Sequence, residues 1–231
     1  MELGSLLIVG FLLGVRHALD PDHLASVATI TTSSRTLADG LKQGAAWGMG
    51  HTLTLLLFGG AALLLGLAVP EDLALVLEFA VGVMLILLGA DVLRRIMKER
   101  IHVHPHDHGD GASHLHVHSH AQIDRHEHSH SPVIPLRALF VGLMHGLAGS
   151  AALVLLTVAA APSILSGITY ILVFGVGSIL GMGLLSIVIA LPLRLSSNRF
   201  ERVQRNFRLG IGFVTIVIGL SIVRNILVVS L

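Results

Sequence analysis

The chain has 231 residues, of which 53% are hydrophobic and only 13% charged, with a mean hydropathy of +0.83, whereas a soluble domain is about a quarter charged. The bilayer is therefore its natural solvent, and a net charge of +1 supplies no field to attract nucleic acid or an acidic partner. With no cysteine in the chain, disulfides, thiolate metal sites and cysteine nucleophiles are excluded, so any metal must be held by imidazole, carboxylate, hydroxyl or backbone oxygen.

A helix needs about 20 mostly apolar residues to cross the hydrocarbon core. Length and breaker residues then predict an all-α integral membrane protein of six transmembrane helices, at 4–31, 42–68, 73–97, 136–160, 164–192 and 206–229. The opening run from Leu3 to Val15 has no Lys or Arg before it and leads into a polar cluster instead of a small-residue cleavage site, so it reads as mature protein and not as a signal peptide.

In the first span, Arg16-His17-Ala18-Leu19-Asp20-Pro21-Asp22-His23 places two imidazoles and two carboxylates within seven residues of an otherwise apolar helix. Each charge there costs several kcal/mol, about 2.5–3.5 by insertion scales, unless it is paired or bound. Pro21 has no N–H for the His17 carbonyl, and its ring pushes that carbonyl aside. The first helix is therefore predicted to break near Pro21, bringing His17 and His23 towards one ion, with Asp20 capping a second half-helix that has Pro21 at its first position. The alternative is a proline kink whose Asp and His side chains bond to neighbouring helices.

The second span adds Gly48-Met49-Gly50-His51-Thr52, an imidazole between small residues that let another helix approach. His51 is a candidate ligand beside the first cluster or a packing residue with a satisfied hydrogen bond. In the third span, Asp91 lies near basic residues and is expected to pair with an arginine.

Residues 99–134 form a separate segment, predicted as a His-rich cytoplasmic loop that is disordered without metal. It carries His102, His104, His106, His108, His114, His116, His118, His120, His126, His128 and His130, mostly at alternate positions. Such spacing suits transient chelation by many equivalent pairs, so the loop reads as an accessory metal buffer or sensor of low specificity, with a neutral linker as the alternative. The fourth span ends on Met144-His145-Gly146, and His145 either completes the metal site or packs between helices.

The two ends of the chain resemble each other. Gly-Val-Arg-His17-Ala-Leu is echoed by Gly-Leu-Met-His145-Gly-Leu, Gly48-Met49-Gly50-His51 by Gly175-Val176-Gly177-Ser178, and Val81-Gly82 through Gly89 by Ile211-Gly212 through Gly219, all at nearly one spacing. The chain is therefore read as residues 1–98, a three-helix repeat with the metal motif, and 135–231, a second repeat. Three spans per repeat is an odd number, so the second must enter the membrane the opposite way, as two inverted three-helix repeats. Lys and Arg crowd the 31–42 turn, both flanks of the central loop and the 192–206 turn, while the turns at Pro70 and Pro162 have none. By the positive-inside rule both termini face outward and the His-rich loop is cytoplasmic, in a multi-pass protein of the cell (inner) membrane.

Imidazole plus carboxylate without sulfur suits nickel, cobalt, zinc, copper(II) or iron(II) better than magnesium or calcium. The run His17-Ala18-Leu19-Asp20-Pro21-Asp22-His23 resembles the His, four residues, Asp-His signature of the nickel/cobalt transporter family, and Gly50-His51-Thr52 is similar to its second signature. The likeness covers both repeats, and the chain is also similar to the short, urease-accessory nickel permeases. Pro21 stands where a small residue is common in that family, and the family's fifth-helix acidic signature is not visible. The resemblance implies high-affinity transport of Ni²⁺ or Co²⁺, with His17, Asp22 and His23 on the selectivity-determining helix and His51 close to them.

The metal-site candidates are thus His17, Asp20, Asp22, His23, His51 and His145. The protein is read as no enzyme and as needing no cofactor, with Ni²⁺ or Co²⁺ as the transported substrate, taken up at high affinity. Its partners are the ion and membrane lipid, with no nucleic acid; an oligomer and a cytoplasmic metallochaperone at the His-rich loop are compatible with the same reading. The alternatives are nickel/cobalt efflux with the loop as collector, or a membrane protein for metal storage or sensing.

Overall fold

The computed structural model describes residues 3–34, 36–66, 70–98, 104–108, 112–116, 135–146, 163–195 and 201–229. Its helices in chain order are α1 (Leu3–His17), α2 (Pro21–Thr31), α3 (Leu37–Leu65), α4 (Glu71–Lys98), α5 (Leu136–His145), α6 (Ile164–Leu195) and α7 (Glu201–Val229). Four helices are long and apolar enough to cross a membrane, over Leu37–Leu65, Asp72–Lys98, Ile164–Pro192 and Arg202–Val228. At 28 to 32 residues, α3, α4, α6 and α7 are about 42–48 Å long, against a hydrocarbon core of about 30 Å. Among the described residues there are thus four span-length helices where the sequence predicts six. The expected first span is divided into α1 and α2, and of the expected fourth only α5 and Gly146 are described; 147–160 lie outside the described residues.

The division between α1 and α2 follows from Pro21. Asp20 occupies the N-cap of α2 in an extended conformation and Pro21 is its first residue, as the sequence predicts. One detail differs from the prediction: the Asp20 side chain makes no capping bond. The His17 carbonyl that Pro21 cannot satisfy accepts from the Asp20 N–H at 3.1 Å.

Four other helix boundaries differ from the expected ones. Helix α3 begins at Leu37 because Thr36 and Asp39 form a capping box, Thr36 Oγ1 accepting from the Asp39 N–H at 3.0 Å and Asp39 Oδ2 from the Thr36 N–H at 2.9 Å. It ends at Gly66, whose φ of 62° is left-handed, a conformation glycine adopts without a Cβ clash. Helix α6 continues past Pro192, which lies inside its last turn, and α7 begins at Glu201, ahead of the apolar stretch.

Helix α6 is the most buried of the four long helices and packs extensively on α3 and α1, while α7 packs on α4 and α5 on α3. Glycines set these approaches. A Cβ on Gly14 of α1 would collide with the Phe174 carbonyl of α6, and one on Gly142 of α5 with the Trp47 carbonyl of α3. Gly82 and Gly89 of α4 face Gly219 and Gly212 of α7 so closely that a Cβ on any of them would lie 2.6–3.2 Å from the opposing carbonyl oxygen. Thr29 of α2 and Thr215 of α7 join hydroxyls at 3.0 Å inside the bundle. The outer surface carries Leu57, Leu87, Leu165 and Val188 exposed, as a lipid-facing surface requires.

In the His-rich segment, β1 (His104–His108) and β2 (Ala112–His116) pair antiparallel, with His104 opposite His116 and His106 opposite His114. These ten positions are the described part of the segment, and their backbone is extended; residues 109–111 lie outside the described residues. His102, His118, His120, His126, His128 and His130 lie outside the described residues.

Candidate metal centre

The four histidines outside the central segment come from four different helices, and all four meet. His17 ends α1, His23 lies in the first turn of α2, His51 is in mid-α3 and His145 ends α5. His23, His51 and His145 are 0% exposed and His17 is 7% exposed. The ring centroids of His17 and His23 are 4.2 Å apart, those of His23 and His145 4.4 Å, and those of His23 and His51 5.1 Å, whereas His51 and His145 are 6.4 Å apart. His23 therefore occupies the middle of the group. The convergence of His17 and His23 is a consequence of the break, which releases two residues six apart from one helical register.

Two carboxylates orient the rings. His17 Nδ1 lies 2.8 Å from Asp20 Oδ2, and His23 Nδ1 lies 2.9 Å from Asp22 Oδ1, which also accepts from the His23 backbone N–H at 3.0 Å. The other oxygen of Asp22 reaches the second half of the chain, at 2.8 Å from His145 Nε2. An ionised carboxylate only accepts, so these bonds place the protons of His17 and His23 on Nδ1 and leave both Nε2 atoms with lone pairs. This is how metal-binding histidines are commonly fixed by an outer carboxylate. His23 Nε2 has no hydrogen-bond partner despite its burial. His17 Nε2 is 3.1 Å from His51 Nε2; with His17 accepting, His51 donates, and an ion taking both lone pairs moves the His51 proton to Nδ1, which is itself unpartnered.

That 3.1 Å separation fits a coordination edge. For metal–imidazole bonds of about 2.0–2.1 Å, ligands set at right angles to tetrahedral angles lie about 2.9–3.4 Å apart. Candidate ligand atoms within 4.8 Å of one another form two groups, His17/His23/His51 and Asp22/His23/His145. Asp20 belongs to neither; it is 42% exposed and touches the site through His17. With neutral imidazoles, the two carboxylates give the cluster a double negative charge that a divalent cation would neutralise, which removes the cost of holding them in an apolar bundle.

The sequence analysis did not single out Trp47, Ser26 or Ser178. Trp47 stacks on His51 with ring planes 8° apart and meets His23 edge-on, at centroid distances of 5.4 and 5.1 Å. It is the chain's one tryptophan and stands four residues before His51 on the same helix face, a signal that was available. Ser26 and Ser178 are buried with unpartnered hydroxyls; Ser178 ends the stretch Gly175-Val176-Gly177-Ser178 whose sequence echoes Gly48-Met49-Gly50-His51. Asp91, as expected, pairs with arginine, at 2.9 Å from Arg95 of its own helix and 2.7 Å from Arg137 of α5.

Residues 3–230 match the family model described as a high-affinity nickel-transport protein. The chain is 36% identical over 227 residues to the urease accessory protein UreH of Bacillus sp. (strain TB-90), covering 98% of this chain and 93% of that protein. It is 25% and 27% identical to two Arabidopsis thaliana proteins, Chloroplast protein FOR GROWTH AND FERTILITY 2 and 1, over 93% of this chain but 55% and 57% of theirs. No solved structure matches.

Proposed function

The chain belongs to the high-affinity nickel-transport family, a multi-pass membrane transporter and not an enzyme, and from that premise we propose that Ni²⁺ crosses through the cluster of His17, Asp22, His23, His51 and His145, with Asp20 orienting His17. The observation that carries this reading is the meeting, at the buried ends of two short helices, of all four histidines outside the loop. Helices α1 and α5, of 15 and 10 residues, rise only about 22 and 15 Å. Both are shorter than the hydrocarbon core of about 30 Å, so each ends on its ligand inside the membrane, where broken-helix transporters bind their ions.

The two-fold arrangement belongs to the same proposal, with residues 1–98 and 135–231 as inverted three-helix halves. It is supported by contacts that exchange under the repeat: α1 on α6 is matched by α5 on α3, Gly14 against Phe174 by Gly142 against Trp47, and Gly82 against Gly219 by Gly89 against Gly212. In this reading both termini face outward and residues 99–134 collect or buffer metal on the cytoplasmic face of the inner membrane. Transport is inward, driven by the membrane potential on a divalent cation, worth about 2.3 kcal/mol per charge per 100 mV. Likeness to a protein that serves an enzyme as its accessory favours supply over efflux. Cobalt, whose imidazole affinity lies next to that of nickel, is the second substrate.

The test is flux of radiolabelled nickel and cobalt into sealed vesicles of defined orientation, comparing wild type with His17→Ala and His23→Ala. Loss of flux in both supports the site, and unchanged flux in both removes it. The orientation that accumulates the ion reads the direction.

A further inference from the structure

The geometry points to two successive ion positions inside the cluster, an all-nitrogen position made by His17, His23 and His51 and a nitrogen–oxygen position made by Asp22, His23 and His145, with His23 common to both. The inference rests on the reading of the cluster as the path of the transported ion and adds an order of occupation to it.

Three observations carry it. The candidate ligand atoms fall into two groups, and His23 is the one residue that both contain. The ring distances agree, because His23 is within 4.2–5.1 Å of each of the other three imidazoles while the outlying pair, His51 and His145, are 6.4 Å apart. The two nitrogens of His23 also face different circumstances, Nδ1 engaged by Asp22 at 2.9 Å and Nε2 buried without a partner.

The order follows from what each position must break. At the all-nitrogen position an ion takes a lone pair from His23 Nε2 and replaces the 3.1 Å hydrogen bond between His17 and His51, whose proton moves to His51 Nδ1. Asp22 keeps both of its imidazole bonds, to His23 and to His145. An ion at the second position binds an Asp22 oxygen that already accepts an imidazole bond and competes with that bond. The first position is therefore filled first. The second offers a formal negative charge in exchange for one nitrogen donor, which supplies the pull for the next step. Because both groups contain His23, the two positions adjoin and the ion moves only a short distance between them; where it passes from His23 Nε2 to Nδ1, the Nδ1 proton moves to Nε2 in exchange. His145 is then the residue by which the second half of the chain takes the ion from the first.

The experiment uses the full-length chain with the eleven loop histidines replaced by serine, so that bound Co²⁺ reports only the membrane cluster. The visible spectrum and stoichiometry of bound Co²⁺ are read in detergent, and nickel flux in vesicles, for this chain and for its His51→Gln and His145→Gln variants; the glutamine amide at 145 can still donate to Asp22. The expected result is one bound Co²⁺ whose spectrum changes in His51→Gln but is retained in His145→Gln, while His145→Gln loses nickel flux at least tenfold. A spectrum altered equally by both substitutions would mean one position and would overturn the inference. So would undiminished flux in His145→Gln. Absence of both Co²⁺ binding and flux in the parent chain would instead overturn the assignment of the cluster as the transport site.

Discussion

The chain holds its histidines in two regions that differ in number and in constraint. The central segment has eleven, mostly alternating along a polar stretch, where any of several pairs can serve the same ion. The membrane cluster has four, each at the end or middle of a different helix, with three rings bonded to two carboxylates and glycine contacts fixing the helices that carry them. In the proposed reading the loop can lose any one ligand and keep its character, while the cluster cannot, because each of its imidazoles is placed by a separate piece of the fold. Ligand abundance would then serve capture, and placement selectivity and passage.

The largest effect expected from breaking this contrast is at the shared ligand. His23→Ala removes a donor from both candidate groups, so nickel flux should fall by about a hundredfold or more with the loop intact, measured as initial uptake at saturating nickel. A chain that still transports at more than a tenth of the wild-type rate would take His23 out of the ion's path. Next comes the scaffold. Gly142→Val would push a branched side chain into the Trp47 carbonyl and the His51 backbone nitrogen, and overpacking of this kind costs about 1–3 kcal/mol. The expected outcome is a lowered unfolding temperature in detergent together with lost flux, since α5 could then no longer bring His145 to Asp22. Gly60→Val, at a position where a Cβ would meet nothing within 4 Å, is the control and should change neither.

Much of the cluster was legible in the sequence because its signals are local. Pro21 removes an N–H and crowds the preceding turn, and two imidazoles with two carboxylates in one short stretch of an apolar helix must face a cavity or a cation. The break and the meeting of His17 with His23 were therefore readable, whereas the place of His51 beside them came from the family resemblance. What was not readable depends on contacts between distant segments. Nothing near His145 in sequence says that its ring reaches Asp22, and nothing near Asp20 says that its carboxylate turns back to His17 instead of capping α2. The glycine pattern gave the echo between the halves but not which glycine meets which carbonyl. Helix starts were misplaced where capping by polar residues, as at Thr36 and Asp39, extends a helix beyond its apolar stretch.

Smaller effects are expected outside the cluster. With all eleven loop histidines replaced by serine, uptake at saturating nickel should stay within about twofold of wild type, while uptake at limiting nickel falls a few-fold. Imidazoles in water gain charge and lose their metal-binding lone pair near pH 6.5, so the extra nickel bound by the wild-type chain over the serine chain should vanish as pH falls from 7.5 to about 5.5. Equilibrium dialysis of the two chains across that range measures it. Complete loss of transport in the serine chain, with the protein intact in the membrane, would make the loop part of the path and erase the division of labour.

The smallest effect belongs to the ion pair that joins the two halves away from the histidines. Arg137 is 54% exposed and Asp91 33% exposed, so their attraction is screened, and exposed pairs contribute about 0–1 kcal/mol. In Arg137→Ala, Asp91 keeps Arg95 at 2.9 Å, which leaves no uncompensated charge behind. The unfolding temperature in detergent should therefore fall by a few degrees at most, and nickel flux should remain within about twofold of wild type. Asp91, Arg95 and Arg137 nevertheless line a hollow with Thr29, Ser33 and Gln43 as well as Ile30, Leu88 and Val92, at the end of the helix that begins with Pro21. A fivefold loss of flux with unchanged stability would mean that this hollow lies on the ion's route and that the pair acts as a gate as well as a tie. The functional region would then extend along α2 from His23 to Ser33.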